Sequence, residues 1–220
     1  MTSRFSFWRA LGATATLACA ALAAQPAAAQ APSFGIKPLL AQASDAALDK
    51  LSQPGAFSAD SAIRIGLPGA AGHGGVGKLL DLAQQSGLSA NLDAALNRAA
   101  EQAAAQAKPI FRAAIDRATL NDAIDIARGG STGATDYLRK STGAQVTSQL
   151  KPLVRNALQA SGVLQKTAQL SALGFDEARL SDYVAGKTAD GIFTYVGREE
   201  TRMRQDPIGT GTQLLKGLGF

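Results

Sequence analysis

The chain of 220 residues holds one cysteine, one histidine and one tryptophan, and aromatic residues make up only 5% of it. Cys19 lies inside an apolar leader, so a chain cut behind that leader keeps no cysteine. That excludes an intramolecular disulfide, a thiolate metal site and a cysteine nucleophile together. With His73 as the sole histidine, no second imidazole is available for a metal site, and any histidine-dependent triad would rest on that residue alone. His73 stands among glycines at 69, 72, 74, 75 and 77, a tract that orients nothing, so it reads as a solvent-exposed loop residue. The shortage of rings, with no Lys/Arg block, removes both the stacking platforms and the electrostatic footprint of a nucleic-acid binder. Neither a G-x-S-x-G elbow nor an S-x-x-K motif occurs.

The first residues are expected to be a signal peptide, residues 1–29. Arg4 and Arg9 form a basic start, Ala10 to Ala24 an uncharged apolar stretch, and Ala27-Ala28-Ala29 the small-x-small pattern of a cleavage site. The apolar stretch falls short of the ~20 residues of a spanning helix, so no membrane span is expected after cleavage. Lipid attachment at Cys19 is a rival that would anchor the protein in the envelope. Thr16, however, stands where a lipoprotein box usually carries leucine. The expected location is the periplasm. Cleavage removes two of the 22 basic residues and none of the 17 acidic ones, leaving a net charge of about +3 on roughly 190 residues. That length suits one domain with a real core.

Residues 30–38 read as a flexible tail and residues 39–220 as one helical domain. Leu40, Ala43, Ala47, Leu48 and Leu51 follow helical spacing up to Pro54-Gly55. Ile63, Ile65 and Leu67 then alternate with Arg64 and Gly66, which suits a short extended segment laid across helices. In the glycine-rich tract, Gly72 to Lys78 gives G-x-x-x-x-G-K, but Leu79 replaces the magnesium-binding hydroxyl of a phosphate loop. Residues 76–85 form a short helix. Ser89 caps an alanine-rich helix with Leu92, Ala95, Leu96, Ala99, Ala100 and Ala103 on its apolar stripe; Asp93, Asn97, Arg98, Glu101 and Gln102 cover the rest. This helix is expected near the bundle centre.

Pro109 starts or kinks the next helix, and Thr119 caps another that Gly129-Gly130 ends. Residues 132–140 and 142–161 give two further helices, the second bent or interrupted at Pro152. After a weaker helix over 162–173, Ser181 caps the last long one, whose end GREETRMRQD reads as solvated and charged, with Glu199 and Glu200 as surface ion-pair partners. The terminal leucines are expected to dock back. No strands are available for a sheet. The fold class is all-α, a bundle-like domain with a short extended, glycine-rich segment near its N-terminus.

Several blocks together carry a family resemblance: AIRIGLP, LDAALNRAAEQAAAQAKPIFRAAI, ARGGSTGATDYLRKST, KPLV, LSDYVAGKTADGIFTYVGREETRMRQDP and LLKGLG. Over Leu39 to Phe220 the chain resembles domain-of-unknown-function family 4197. The resemblance implies an exported helical protein of Gram-negative bacteria, with no established activity and no catalytic roles to carry over. Where family members often have an arginine after the proline that follows the charged helix, this chain has Ile208, Gly209 and Thr210.

Two constellations carry what polar chemistry there is. Backbone amides at Gly129 and Gly130, with Arg128 and Arg139, suit a carboxylate or phosphate. The plainer reading gives Arg128 to a helix C-terminus and pairs Asp136 with Arg139 or Lys140. Lys187 and Asp190, at i and i+3, are the second; Lys187 shares a face with Tyr183, Val184 and Gly191 and is expected to be partly buried. An ion pair is the plainer reading there, a hydrolase-like function the sharper one. Arg64, set between two apolar residues, joins these as a binding candidate. No catalytic residue, metal ligand or cofactor is assigned. The expectation is a non-enzymatic binding or interaction protein that recognises an envelope protein or a small ligand in a groove between helices.

Overall fold

The structure, a computed structural model, describes residues 35–66, 88–118, 126, 129–164 and 176–206. The leader, the tract around His73, the helix over 76–85, the Thr119 cap with Arg128, most of the weak helix after Gly162 and the terminal leucines lie outside the described residues. Among the described residues there are six α-helices, one 3-10 turn and no strand. The fold is all-α.

Helix α1 (Ile36–Leu51) buries Leu39, Leu40, Ala43, Ala47, Leu48 and Leu51, a stripe at the 3.6-residue period. Pro38 sits in its first turn, where a missing amide costs no internal bond. Gly55, at φ 85, turns the chain into α2 (Ala56–Ala59), which sinks the Phe57 ring fully into the core. Beyond α2, Ile63 and Ile65 are buried and Arg64 is exposed, as the alternating pattern requires.

Helix α3 (Leu88–Ala105) begins one residue before the expected Ser89 cap. Its buried face is mostly alanine (95, 99, 100, 103 and 104), so neighbouring backbones come close. Asn97 and Glu101, read from sequence as part of the polar cover, are buried at 2% and 5% exposure. Both secure the α2 region. The Asn97 side chain accepts from the Ile65 amide (2.9 Å) and donates to the Ile65 carbonyl (2.8 Å), and Glu101 accepts from the Phe57 amide (3.2 Å). Helix α4 (Lys108–Arg117) starts afresh with Pro109 in its first turn and brings the Phe111 ring 5.3 Å from that of Phe193.

The 3-10 turn (Gly130–Thr132) leads into α5 (Gly133–Ala160). The two helices expected over 132–140 and 142–161 are one, running through Ser141 without a break, and Pro152, expected to bend or interrupt the second, is exposed and sits on the water side of the continuous helix. There solvent can take the carbonyl that proline leaves without a donor. Helix α6 (Glu177–Gln205) is capped by Asp176, which accepts from the Arg179 amide at 2.8 Å. Ser181 is buried within the helix and is not its cap. Leu180, Val184, Ile192, Phe193, Val196 and Met203 face inward. Helix α6 packs against α1, α3 and α5 and is the centre of the bundle, a place the sequence suggested for α3. Close approach is built in at Gly191, where a Cβ would lie 2.8 Å from the Phe57 ring.

Candidate functional site

At the head of α5, polar side chains and a cavity coincide. A groove of about 470 Å³ is lined there by Ile126, Gly129, Gly133, Asp136, Tyr137, Lys140 and Ser141. Its wall follows from the local sequence. Positions 133, 136, 137, 140 and 141 are spaced at three and four residues and so share one face of α5. Gly133 is needed because a Cβ there would stand 2.1 Å from the Ile126 carbonyl oxygen. The close approach sets the groove floor.

The corner is held from below by Glu200 of α6. Its carboxylate is fully buried and accepts from the Ala134 amide (3.1 Å), the Thr135 amide (2.8 Å) and the Thr135 hydroxyl (2.6 Å). Arg204 adds two guanidinium bonds at 2.9 and 2.8 Å. A side chain from another helix thus caps α5, satisfying amides that a helix start leaves open and opposing its dipole. Next to it, Glu199 is also buried and is bound by Lys50 and by Arg202, the latter at 2.9 Å. Burial pushes the Glu199 carboxyl up, but the hydrogen bonds from Lys50 and Arg202 outweigh it and hold the group below its ordinary value. These two carboxylates are therefore not the solvated surface pair that the charged run GREETRMRQD suggests.

The sequence-based candidates separate in space. Gly129 and Asp136 line the groove, Gly130 adjoins it in the 3-10 turn, and Arg128 lies outside the described residues. Asp136 pairs with neither Arg139 nor Lys140; its Oδ2 accepts from the Thr132 hydroxyl at 2.9 Å. Arg139 points away to α6, where it binds Asp190 Oδ1 (2.9 Å) and the Asp190 carbonyl (3.2 Å) and lies 5.5 Å from the Phe193 ring centre. The anion site imagined between Arg128, Arg139 and the glycine amides therefore loses Arg139. The adjacent α5 amides are already taken by Glu200.

Lys187 and Asp190 do not form a pair. Asp190 belongs to Arg139, and Lys187 is exposed, its ammonium 5.9 Å from the Tyr183 ring centre. The three-residue spacing placed both near one face, but the shorter path from Asp190 runs to α5. Arg64 donates to the Ser58 carbonyl at 2.8 Å and has a structural role in the turn after α2. Nearby, Asp60 accepts from Arg198, from the Ala62 amide (2.9 Å) and from the Tyr195 hydroxyl (3.0 Å). Chiefly the Arg198 guanidinium, with the Ala62 amide, holds the Asp60 carboxyl down at about 2. Sequence reasoning missed Tyr137, Lys140 and Ser141 as a group, although their spacing with Asp136 was visible.

Among the described residues, no three His, Cys, Asp or Glu side chains converge as metal ligands, and no helix is long and apolar enough to cross a membrane. No curated protein and no solved structure matches the chain. Residues 27–218 match the model of the family described as protein of unknown function DUF4197, and the chain belongs to that family.

Proposed function

Membership of a family without an assigned activity leaves the geometry to speak, and we propose that the protein is an exported binding module of the bacterial envelope whose ligand occupies the groove at the head of α5. The carrying observation is the groove itself: a cavity of about 470 Å³ with an aromatic ring, a cation, an anion and a hydroxyl on one helix face. Its volume falls in the range of small-ligand sites, about 300–1,000 Å³. Support for export comes from the basic start, apolar stretch and Ala27-Ala28-Ala29 pattern of the leader. The hydrolase-like alternative draws no support from the geometry, since Lys187 and Asp190 engage different partners.

The test is native mass measurement on protein taken from its own envelope, together with amide chemical shifts recorded while envelope extract is titrated in. Added mass of a small molecule, and shifts at Gly133 and Tyr137, are the expected results. Tyr137→Ala should weaken such binding about tenfold, the share of one aromatic contact of roughly 1.5 kcal/mol. Bare mass together with unmoved Gly133 and Tyr137 signals would sink the reading.

A further inference from the structure

We infer that the groove selects a zwitterion, a free amino acid or short peptide presenting both an ammonium and a carboxylate. The inference rests on the reading of this groove as a ligand site and adds the chemistry of what enters it. Asp136 and Lys140 stand one helical turn apart on the groove wall. Opposite charges at i and i+4, with Cβ atoms about 5–6 Å apart, are within reach of each other. Here they do not pair. Among the described residues neither takes part in an ion pair.

The reason lies in Thr132. Its hydroxyl holds Asp136 Oδ2 at 2.9 Å, back toward the helix start and away from Lys140. The wall therefore displays a fixed anion and a separate cation, with Tyr137 between them in sequence. A simple anion would meet Asp136, and the α5 amides that might have favoured it are already bound by Glu200. A simple cation would meet Lys140. A molecule carrying both charges satisfies both groups at once. Ser141 donates to the Tyr137 carbonyl (2.9 Å), which leaves its oxygen lone pairs to accept from a ligand amide. Ile126 and the Tyr137 ring supply apolar surface for a side chain. The volume admits a short peptide and is too small for a folded partner.

Three probes on one backbone test the assignment: trialanine, its C-terminal amide of equal size and its N-acetyl form, larger by the acetyl group, titrated into the mature protein by calorimetry and amide shifts. Free trialanine is expected to bind at least about tenfold better than either blocked form, the usual effect of losing one charge-assisted hydrogen bond. Asp136→Asn should abolish discrimination against the N-acetyl form while leaving that against the amide. Lys140→Gln should do the reverse. Both positions are exposed, and unchanged thermal melting would show that each variant is folded. Equal binding of all three probes overturns the inference, as does a variant that alters both preferences alike. If no peptide binds while envelope extract still moves Gly133 and Tyr137, the zwitterion assignment fails and the groove reading survives. If nothing moves those signals, both fail.

Discussion

At the scale of single residues, the carboxylate of Glu200 is fully buried and bound by two amides, a hydroxyl and a guanidinium. A buried ion is tolerated only when its lone pairs are filled, and removing one partner strands the others. Glu200→Ala should therefore destabilise the fold by about 3–5 kcal/mol, the usual cost of breaking a buried ion pair. Glu200→Gln keeps one acceptor oxygen, enough for one of the two α5 amides, and turns an amide donor toward the other, but it leaves no empty space and no stripped arginine site, so its cost should be smaller, about 2 kcal/mol. Urea unfolding of the two variants checks the order; losses below about 0.5 kcal/mol for both, the range of ordinary surface changes, would show that Glu200 caps nothing of consequence. The position was legible in principle. Glu200 follows Val196 by four residues and precedes Met203 by three, which puts it on the buried stripe of α6. The surrounding run of arginines and acids hid this, because charge density ordinarily marks a solvated face.

At the scale of elements, the irregular segment after α2 is held by side-chain bonds where a sheet would use a second strand. Asn97 of α3 meets both the amide and the carbonyl of Ile65, reproducing one rung of a β-ladder, and also donates to the Asp93 carbonyl at 2.7 Å. Tyr183 of α6 donates to the Gly66 carbonyl at 2.9 Å, and Asp60 ties the start of the segment to α6 through Tyr195 and Arg198. Asn97→Ala would leave the Ile65 donor and acceptor unpaired in a dry place, at about 1–3 kcal/mol for each group. Hydrogen exchange at the Ile65 amide should accelerate well beyond the change in global stability. Exchange that merely tracks global unfolding would mean the Asn97 bond is not what protects it. Helix faces were readable from sequence because period 3.6 registers burial directly, as at Leu40, Ala43 and Ala47. Tertiary caps were not, since Glu101 and Asn97 find their partners 44 and 32 residues away. The groove shows the same division: the i, i+4 spacing of Asp136 and Lys140 is local, whereas the departure of Arg139 to Asp190 depends on where α6 lies.

At the scale of the whole molecule, helices are joined by two kinds of charge contact with different consequences. Exposed pairs such as Arg112–Asp45 between α4 and α1, or Arg155–Glu177 between α5 and α6, are screened and contribute little. The contacts of Asp60 with Arg198, and of buried Glu199 with Lys50 and Arg202, act on pH dependence instead. Asp60 is held at about 2 by Arg198 and the Ala62 amide, and Glu199 lies below its ordinary value because Lys50 and Arg202 outweigh its burial. In the unfolded chain these carboxyls titrate near pH 4. The unfolded state therefore binds more protons across the interval, and the stabilisation they supply is complete above about pH 4 and lost as pH falls toward 2. At the alkaline end, burial raises Tyr183 and Tyr195, so their contribution is present below about pH 10 and declines above it as the unfolded phenols ionise first. Urea midpoints measured from pH 7 to pH 2 should stay level to about pH 5 and fall steeply below 4. In Asp60→Asn the acid limb should be shallower, because that residue no longer gains a proton on unfolding, while the midpoint at pH 7 should already be lower. An acid limb of unchanged slope in this variant would place the acid sensitivity elsewhere. Since α6 carries Glu199, Glu200, Tyr195 and Arg198 together, the loss should appear as one cooperative transition of the bundle and not as fraying of a single helix.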